Sequence, residues 1–189
     1  LYNKASYIKR CLDSIFSQDF TDCEIILVDD CSTDDGLEIA KELLESNVLP
    51  YQIVIRTHRG GSCAPPRATG CRYAQGRFFA FLDADDEWHL GFLSEIKALF
   101  ESFPDAEAFA TDRELVVDGK TESASYGQKS DVKEAHLINL DRFLNARKSM
   151  GNPFRIQGMA FKPEALDDIG GFIHAPRSSD IDLMFRFFL

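Results

Sequence analysis

The 189-residue chain has no run of 18 apolar residues and no signal-peptide pattern. Nothing in it therefore reads as a membrane span or a secretory leader. It has no C-x-x-C pair. Its five cysteines, Cys11, Cys23, Cys31, Cys63 and Cys71, are odd in number and scattered. That disfavours zinc and suits a reducing compartment, the cytosol. Positive charge is scarce: 21 Lys and Arg face 31 Asp and Glu, for a net charge of −10. Nucleic acid requires a basic footprint, so that partner class is excluded. A diphosphate ligand would need a metal ion or local arginines, since like charges 4 Å apart repel by roughly 4 kcal/mol near a surface. There is no G-x-G-x-x-G after a strand and no G-x-x-x-x-G-K-[ST]. Dinucleotide and P-loop readings lose their support with them. Repeats, low-complexity tracts and an interdomain linker are absent as well. His58, His89, His136 and His174 stand apart from any metal or triad partner in the sequence.

What is present reads as one α/β domain. Hydrophobic residues make up 44% and charged residues 28%, enough to bury a core at this length. Ser6 is placed to cap a helix whose Ile8, Cys11, Leu12, Ile15 and Phe16 share a face. Residues 24–28 predict a buried strand ending at Asp29-Asp30. Ser32, Thr33 or Asp34 can cap the next helix, which carries Leu37, Ala40, Leu43 and Leu44. Residues 51–56 predict another strand. Pro65-Pro66 begin a short helix through about Gln75, stopped by Gly76. Residues 78–82 predict a strand buried on both faces, followed by a helix carrying Phe92, Leu93, Ile96, Leu99, Phe100 and Phe103. This β-α alternation implies a mostly parallel sheet with right-handed crossovers. The second half is less regular. A strand is expected at 106–110, a hairpin at 114–117 turning through Asp118-Gly119, and a polar loop at 123–134. A short helix follows at 140–146 and a strand at 158–161. Pro163 then starts a helix that Gly170-Gly171 stops. Ile181, Met184, Phe185 and Phe188 mark a last helix.

Four acids, Asp83, Asp85, Asp86 and Glu87, crowd the exit of the Phe78-Phe79-Ala80-Phe81-Leu82 run. In open α/β sheets ligands bind beyond the carboxyl ends of the strands. Hard divalent ions, Mg²⁺ or Mn²⁺, suit such carboxylates. The plain alternative is an acidic turn capping the next helix. Asp30, at the end of its strand, can accept a hydrogen bond from a ligand N–H, and the plain alternative is that Asp29 and Asp30 cap the next helix. Arg67 can fork onto a phosphate or make a surface ion pair. Tyr2 can stack on a base. Asp182 reads as the i+4 partner of Arg186.

Taken in order, these motifs resemble family 2 glycosyltransferases. They are Tyr2-Asn3, Leu12-Asp13-Ser14-Ile15, Val28-Asp29-Asp30-Cys31-Ser32-Thr33-Asp34, Gly60-Gly61 followed by Arg67, Phe81-Leu82-Asp83-Ala84-Asp85-Asp86, Gly170-Gly171-Phe172 and Asp180-Ile181-Asp182-Leu183. The resemblance implies a GT-A fold: a Rossmann-like, mostly parallel sheet flanked by helices, with a nucleotide-sugar half over 1–104 and an irregular acceptor-side half over 105–189. It implies a metal-dependent inverting transfer from a nucleotide-sugar, expected to be UDP-linked, to a carbohydrate or lipid-linked hydroxyl. The setting would be polysaccharide or glycoconjugate synthesis in the cytoplasm, including the inner face of the membrane. Tyr2, Asn3, Asp30, Arg67, Asp83 and Ala84 would hold the donor, with Asp30 accepting from the uracil N3–H. Asp85, with Asp83 and Asp86, would hold Mn²⁺ or Mg²⁺. Asp180 would be the general base. Two departures stand out: Pro65-Pro66 replace the small residues common before the loop arginine, and Ser179 replaces a glutamate common before the base. They leave open a drifted domain that binds nucleotide-sugar without turnover. A nucleotidyltransferase of related topology would want a glycine-rich basic loop after its first strand, which is not seen. Leu1-Tyr2-Asn3 reads as the exit of a strand, and the last helix is still running at Leu189, so a domain cut at both ends is expected.

Overall fold

The computed structural model describes residues 1–111, 113–117, 120–124, 138–150, 154–173 and 179–188. Helix α1 (Ala5–Phe16) lays Ile8, Cys11 and Leu12 inward, as its spacing predicts. Strand β1 (Ile25–Asp29) follows, then α2 (Gly36–Glu45) and β2 (Tyr51–Ile55). β1 and β2 pair in parallel, from Ile25 opposite Tyr51 to Asp29 opposite Ile55. Leu1 extends β1 on its other edge: its nitrogen donates to Val28 O at 2.7 Å, and Asp30 N donates to Leu1 O at 2.8 Å.

The helix caps differ from expectation. Ser6 lies inside α1, and Lys4 holds the cap position without a side-chain cap bond. Asp34 does the work from a distance. Its Oδ2 accepts from Ala5 N at 2.9 Å and its Oδ1 from Gly36 N at 3.0 Å, so one carboxylate serves the starts of α1 and α2. Glycine at position 36 leaves room for this approach, since a Cβ there would meet Asp34 Oδ1 at 2.9 Å and Ala5 N at 3.2 Å and push the carboxylate aside.

Helix α3 (Ala64–Cys71) ends sooner than the predicted Gln75. Past it, Arg72, Tyr73 and Gln75 are exposed, so no further turn has a face to bury. The 78–82 strand is also corrected. Only β3 (Phe79–Ala80) is in a ladder, and all five residues are half-buried rather than buried on both faces. Its partner, β7 (Met159–Phe161), is short, and the chain leaves it at Phe81 to form the acidic turn. β7 sits antiparallel between β3 and β4 (Ala108–Ala110). Helix α4 (Phe92–Ser102) buries Phe92, Leu93 and Ile96 beneath this sheet.

The expected hairpin is β5 (Arg113–Val117) paired with β6 (Lys120–Ala124). Its turn, Asp118-Gly119, and most of the 123–134 loop lie outside the described residues. Helices α5 (Leu140–Met150), α6 (Pro163–Asp168) and α7 (Ser179–Phe188) complete the chain. Gly170 and Gly171, at φ +77° and +63°, stop α6, a backbone that side chains with a Cβ rarely adopt. Phe143 of α5 is fully buried, stacked on Phe188 at 4.8 Å and edge-on to Phe185 at 5.7 Å. Burying a phenylalanine contributes about 2–3 kcal/mol. This aromatic contact docks α7 and so fixes where Asp180, at its start, can sit.

Candidate active site

β1 delivers two acids at its carboxyl end. Asp30 is buried and receives Gly60 N–H at 3.0 Å on both oxygens, together with the Arg56 guanidinium. Asp29, 2% exposed, accepts from Ser32 N at 3.1 Å in the turn that precedes α2, while the first N–H of α2, at Gly36, goes to Asp34 instead. Its other oxygen is buried without a hydrogen-bond partner among the described residues. Asn3, at φ +49°, ties the opening loop to the 32–34 turn. Its Oδ1 accepts from Thr33 N at 2.8 Å, and its own N donates to Ser32 Oγ at 3.1 Å. The Tyr2 ring expected under a base is covered by the Arg59 guanidinium, 3.9 Å from its centroid.

The organising cation is Arg67. Pro65 and Pro66 occupy the first turn of α3, where their fixed φ suits a helix start. The next residue, Arg67, turns inward and is 8% exposed. Its Nη1 donates to Asp180 Oδ1 at 2.6 Å. Its Nη2 donates to both oxygens of Asp83, at 2.8 and 3.0 Å. Burial works against the charged form of Arg67, but Asp83 and then Asp180 outweigh it and raise its pKa. The fork expected on a phosphate thus closes on two carboxylates. It also brings together acids 97 positions apart in the chain, on the acidic turn and at the start of α7. Asp182 pairs with Arg186 at 2.8–2.9 Å, as the i+4 spacing predicts.

Two residues of this network were not picked out from the sequence. Gln157, just before β7, donates its Nε2 to Asp83 Oδ2 and receives Trp88 Nε1 on its carbonyl at 2.6 Å. Trp88 stacks on Phe92 at 4.5 Å, so the acidic turn is pinned at its far end. Lys4 places its Nζ 2.6 Å from Asp85 Oδ2. Ala84 packs at the edge of the core formed by Ile8, Leu12 and Leu44. His136 and His174 lie outside the described residues.

Among the described residues, no three His, Cys, Asp or Glu side chains converge as a ready metal cage. The donor set still suits a hard cation. Asp85 already carries one, the Lys4 ammonium. Desolvation, then the charges of Asp83 and Asp85, raise the pKa of the Asp86 carboxyl above its usual value, against the opposing charges of Arg10 and Arg155. Asp83 fits differently, since both its oxygens accept from Arg67.

Residues 1–170 match the family model described as glycosyl transferase family 2. Over 87 residues the chain is 39% identical to the Escherichia coli K12 protein called uncharacterized glycosyltransferase YibD, covering 46% of this chain and 24% of that protein. It is 37% identical over 87 residues to the Staphylococcus aureus poly(ribitol-phosphate) beta-N-acetylglucosaminyltransferase TarS, covering 45% and 15%. The matched segments thus span a quarter or less of these two relatives. Among solved structures, residues 1–349 of S. aureus TarS with UDP-GlcNAc superpose with a TM-score of 0.78 at 22% identity, covering 99% of this chain and 51% of that one. The Pyrobaculum calidifontis mannosyltransferase PcManGT, with GDP-Man and Mn²⁺, superposes at 0.70 with 24% identity, covering 99% and 49%. These superpositions show the GT-A fold.

Proposed function

Because this chain belongs to glycosyl transferase family 2, we propose that it moves a sugar from a nucleotide-diphosphate donor, a UDP-sugar, to an acceptor hydroxyl with inversion. The observation that carries this reading is the Arg67 bridge, which holds Asp180 and Asp83 within 3.0 Å of one guanidinium. In this reading residues 1–104 hold the donor and residues 105–189 face the acceptor. Tyr2, Asn3 and Asp30 take the nucleoside, and Asp83 with Ala84 takes the ribose side. Asp180 accepts the proton of the acceptor hydroxyl. The oxygen then bonds to the anomeric carbon from the face opposite the diphosphate. The bond to the leaving oxygen breaks, and UDP departs with that electron pair. Mn²⁺ or Mg²⁺, held by Asp85 with Asp86 beside it, would supply the charge that the leaving diphosphate needs. Arg67 positions both acids and adds positive charge to a chain with net charge −10.

Two names among the relatives support the donor class. TarS has been crystallised with UDP-GlcNAc, and Escherichia coli WfaP is described as a UDP-Glc glucosyltransferase acting on a diphosphoundecaprenol-linked sugar. A carbohydrate or lipid-linked acceptor follows by the same analogy. Among the described residues no helix is long and apolar enough to cross a membrane. The test is a panel of UDP-sugars with Mn²⁺ and candidate acceptors, read as UDP release. Release with at least one pair is expected. Mn²⁺-dependent UDP binding with no release from any pair would favour a binding domain without turnover.

A further inference from the structure

We propose that Lys4 is an internal counter-ion for Asp85 that a divalent cation must displace, so that the free protein holds metal weakly. This rests on the metal-dependent reading above. Lys4 is anchored at the start of α1, where its carbonyl accepts from Tyr7 N and Ile8 N, both at 2.9 Å. From there its ammonium reaches a carboxylate 81 positions away, at 2.6 Å. Six residues on, Arg10 donates to the Asp85 carbonyl at 2.9 Å. Helix α1 and its cap residue thus lay two cations along the acidic turn: Arg10 holds its backbone, and Lys4 holds its charge.

The two kinds of cation differ in how readily they can leave. The Arg67 side chain is 7% exposed, whereas Lys4 and Asp85 are 35% and 41% exposed. A compact, strongly hydrated ammonium at the rim moves into water easily. A divalent ion binds carboxylate oxygen at about 2.1 Å. It cannot share Asp85 Oδ2 with an ammonium at 2.6 Å without strong repulsion. Metal therefore competes with Lys4 for one oxygen. A diphosphate arriving with the metal brings negative charge that favours the exchange, so metal and donor are taken up together.

The test is a Mn²⁺ titration of the full chain without nucleotide, followed by the electron paramagnetic resonance of free Mn²⁺. Exposed ion pairs shift equilibria by up to about fivefold. Lys4→Met should bind Mn²⁺ about fivefold tighter than the parent. Lys4→Gln, which stays polar, should shift the same way. Lys4→Arg keeps the charge and should match the parent. Lys9→Met, which removes the neighbouring lysine paired with Asp13, should match it too. The gain should vanish in Lys4→Met/Asp85→Ala. A lysine that only staples α1 to the turn would lower stability on removal and leave Mn²⁺ affinity unchanged. Equal or weaker Mn²⁺ binding by both neutral variants therefore overturns this proposal alone. Failure of every protein to bind Mn²⁺ overturns the metal reading and this proposal with it.

Discussion

Arg67→Met is the most informative change to the fold around the site. Methionine keeps an aliphatic stem and removes the charge. Four hydrogen bonds go, at 2.6 Å to Asp180, at 2.8 and 3.0 Å to Asp83 and at 3.3 Å to Cys63 Sγ. Removing one partner of a buried ion pair costs about 3–5 kcal/mol, because the other charge is left behind. Here two carboxylates are left behind. Their side chains are 34% exposed for Asp83 and 18% for Asp180, so water reaches both and screens them. The lower end applies, about 3 kcal/mol. Urea unfolding followed through Trp88, the one tryptophan, measures it. In an Asp83→Asn/Asp180→Asn background the stranded charges are gone, and the same arginine change should cost less than half as much. A cost under about 1 kcal/mol in the parent, or an equal cost in both backgrounds, would refute the bridge.

Burial pushes the Cys11 thiol up to about 12 and the Cys71 thiol to about 11, from 9.0. At pH 8 their thiolate fractions are then about 10⁻⁴ and 10⁻³, so exposed Cys63 should react with Ellman's reagent well before either. Simultaneous labelling would contradict their burial. Because the folded thiols keep protons that the unfolded ones lose, their contribution to stability is full below pH 9 and falls as pH rises toward 11–12. Asp34→Ala strips the cap bonds of Ala5 and Gly36 and should cost about 1–2 kcal/mol in urea unfolding, with Asp34→Asn costing less. Asp85→Ala should make UDP affinity independent of Mn²⁺ in calorimetry. Glu101→Ala, which removes an exposed partner of Lys97, should not, and equal Mn²⁺ dependence in both would refute the metal assignment.

The elements most legible in the sequence are those whose side chains decide their own burial. The stripe of Ile8, Cys11 and Leu12 set the inner face of α1, and Asp182 with Arg186 needed only helical spacing. The 78–82 run misled for a physical reason. Its apolar residues suit a buried strand, but the length of a strand depends on its partner. That partner, β7, lies about 80 positions away and pairs over two residues. The cap of α1 was misplaced in the same way, because Asp34 is remote in sequence while Ser6 is adjacent. In the candidate site the acids and the arginine were visible as types, each with a plain alternative beside it. Their connection was not. Gln157 and Lys4 carry no motif and meet the acidic turn only after 74 and 81 residues of chain have folded back.

The central claim is that Asp180 takes the proton of the acceptor hydroxyl. Asp180→Asn tests it most directly, because asparagine has the shape of aspartate, keeps an oxygen to accept from Arg67 at the first turn of α7, and removes the carboxylate that would take the proton. The measurement is UDP release from the donor and acceptor that the parent turns over, with UDP binding followed in parallel. The account predicts transfer reduced by roughly 100-fold or more while donor binding persists. Transfer at the parental rate would contradict it.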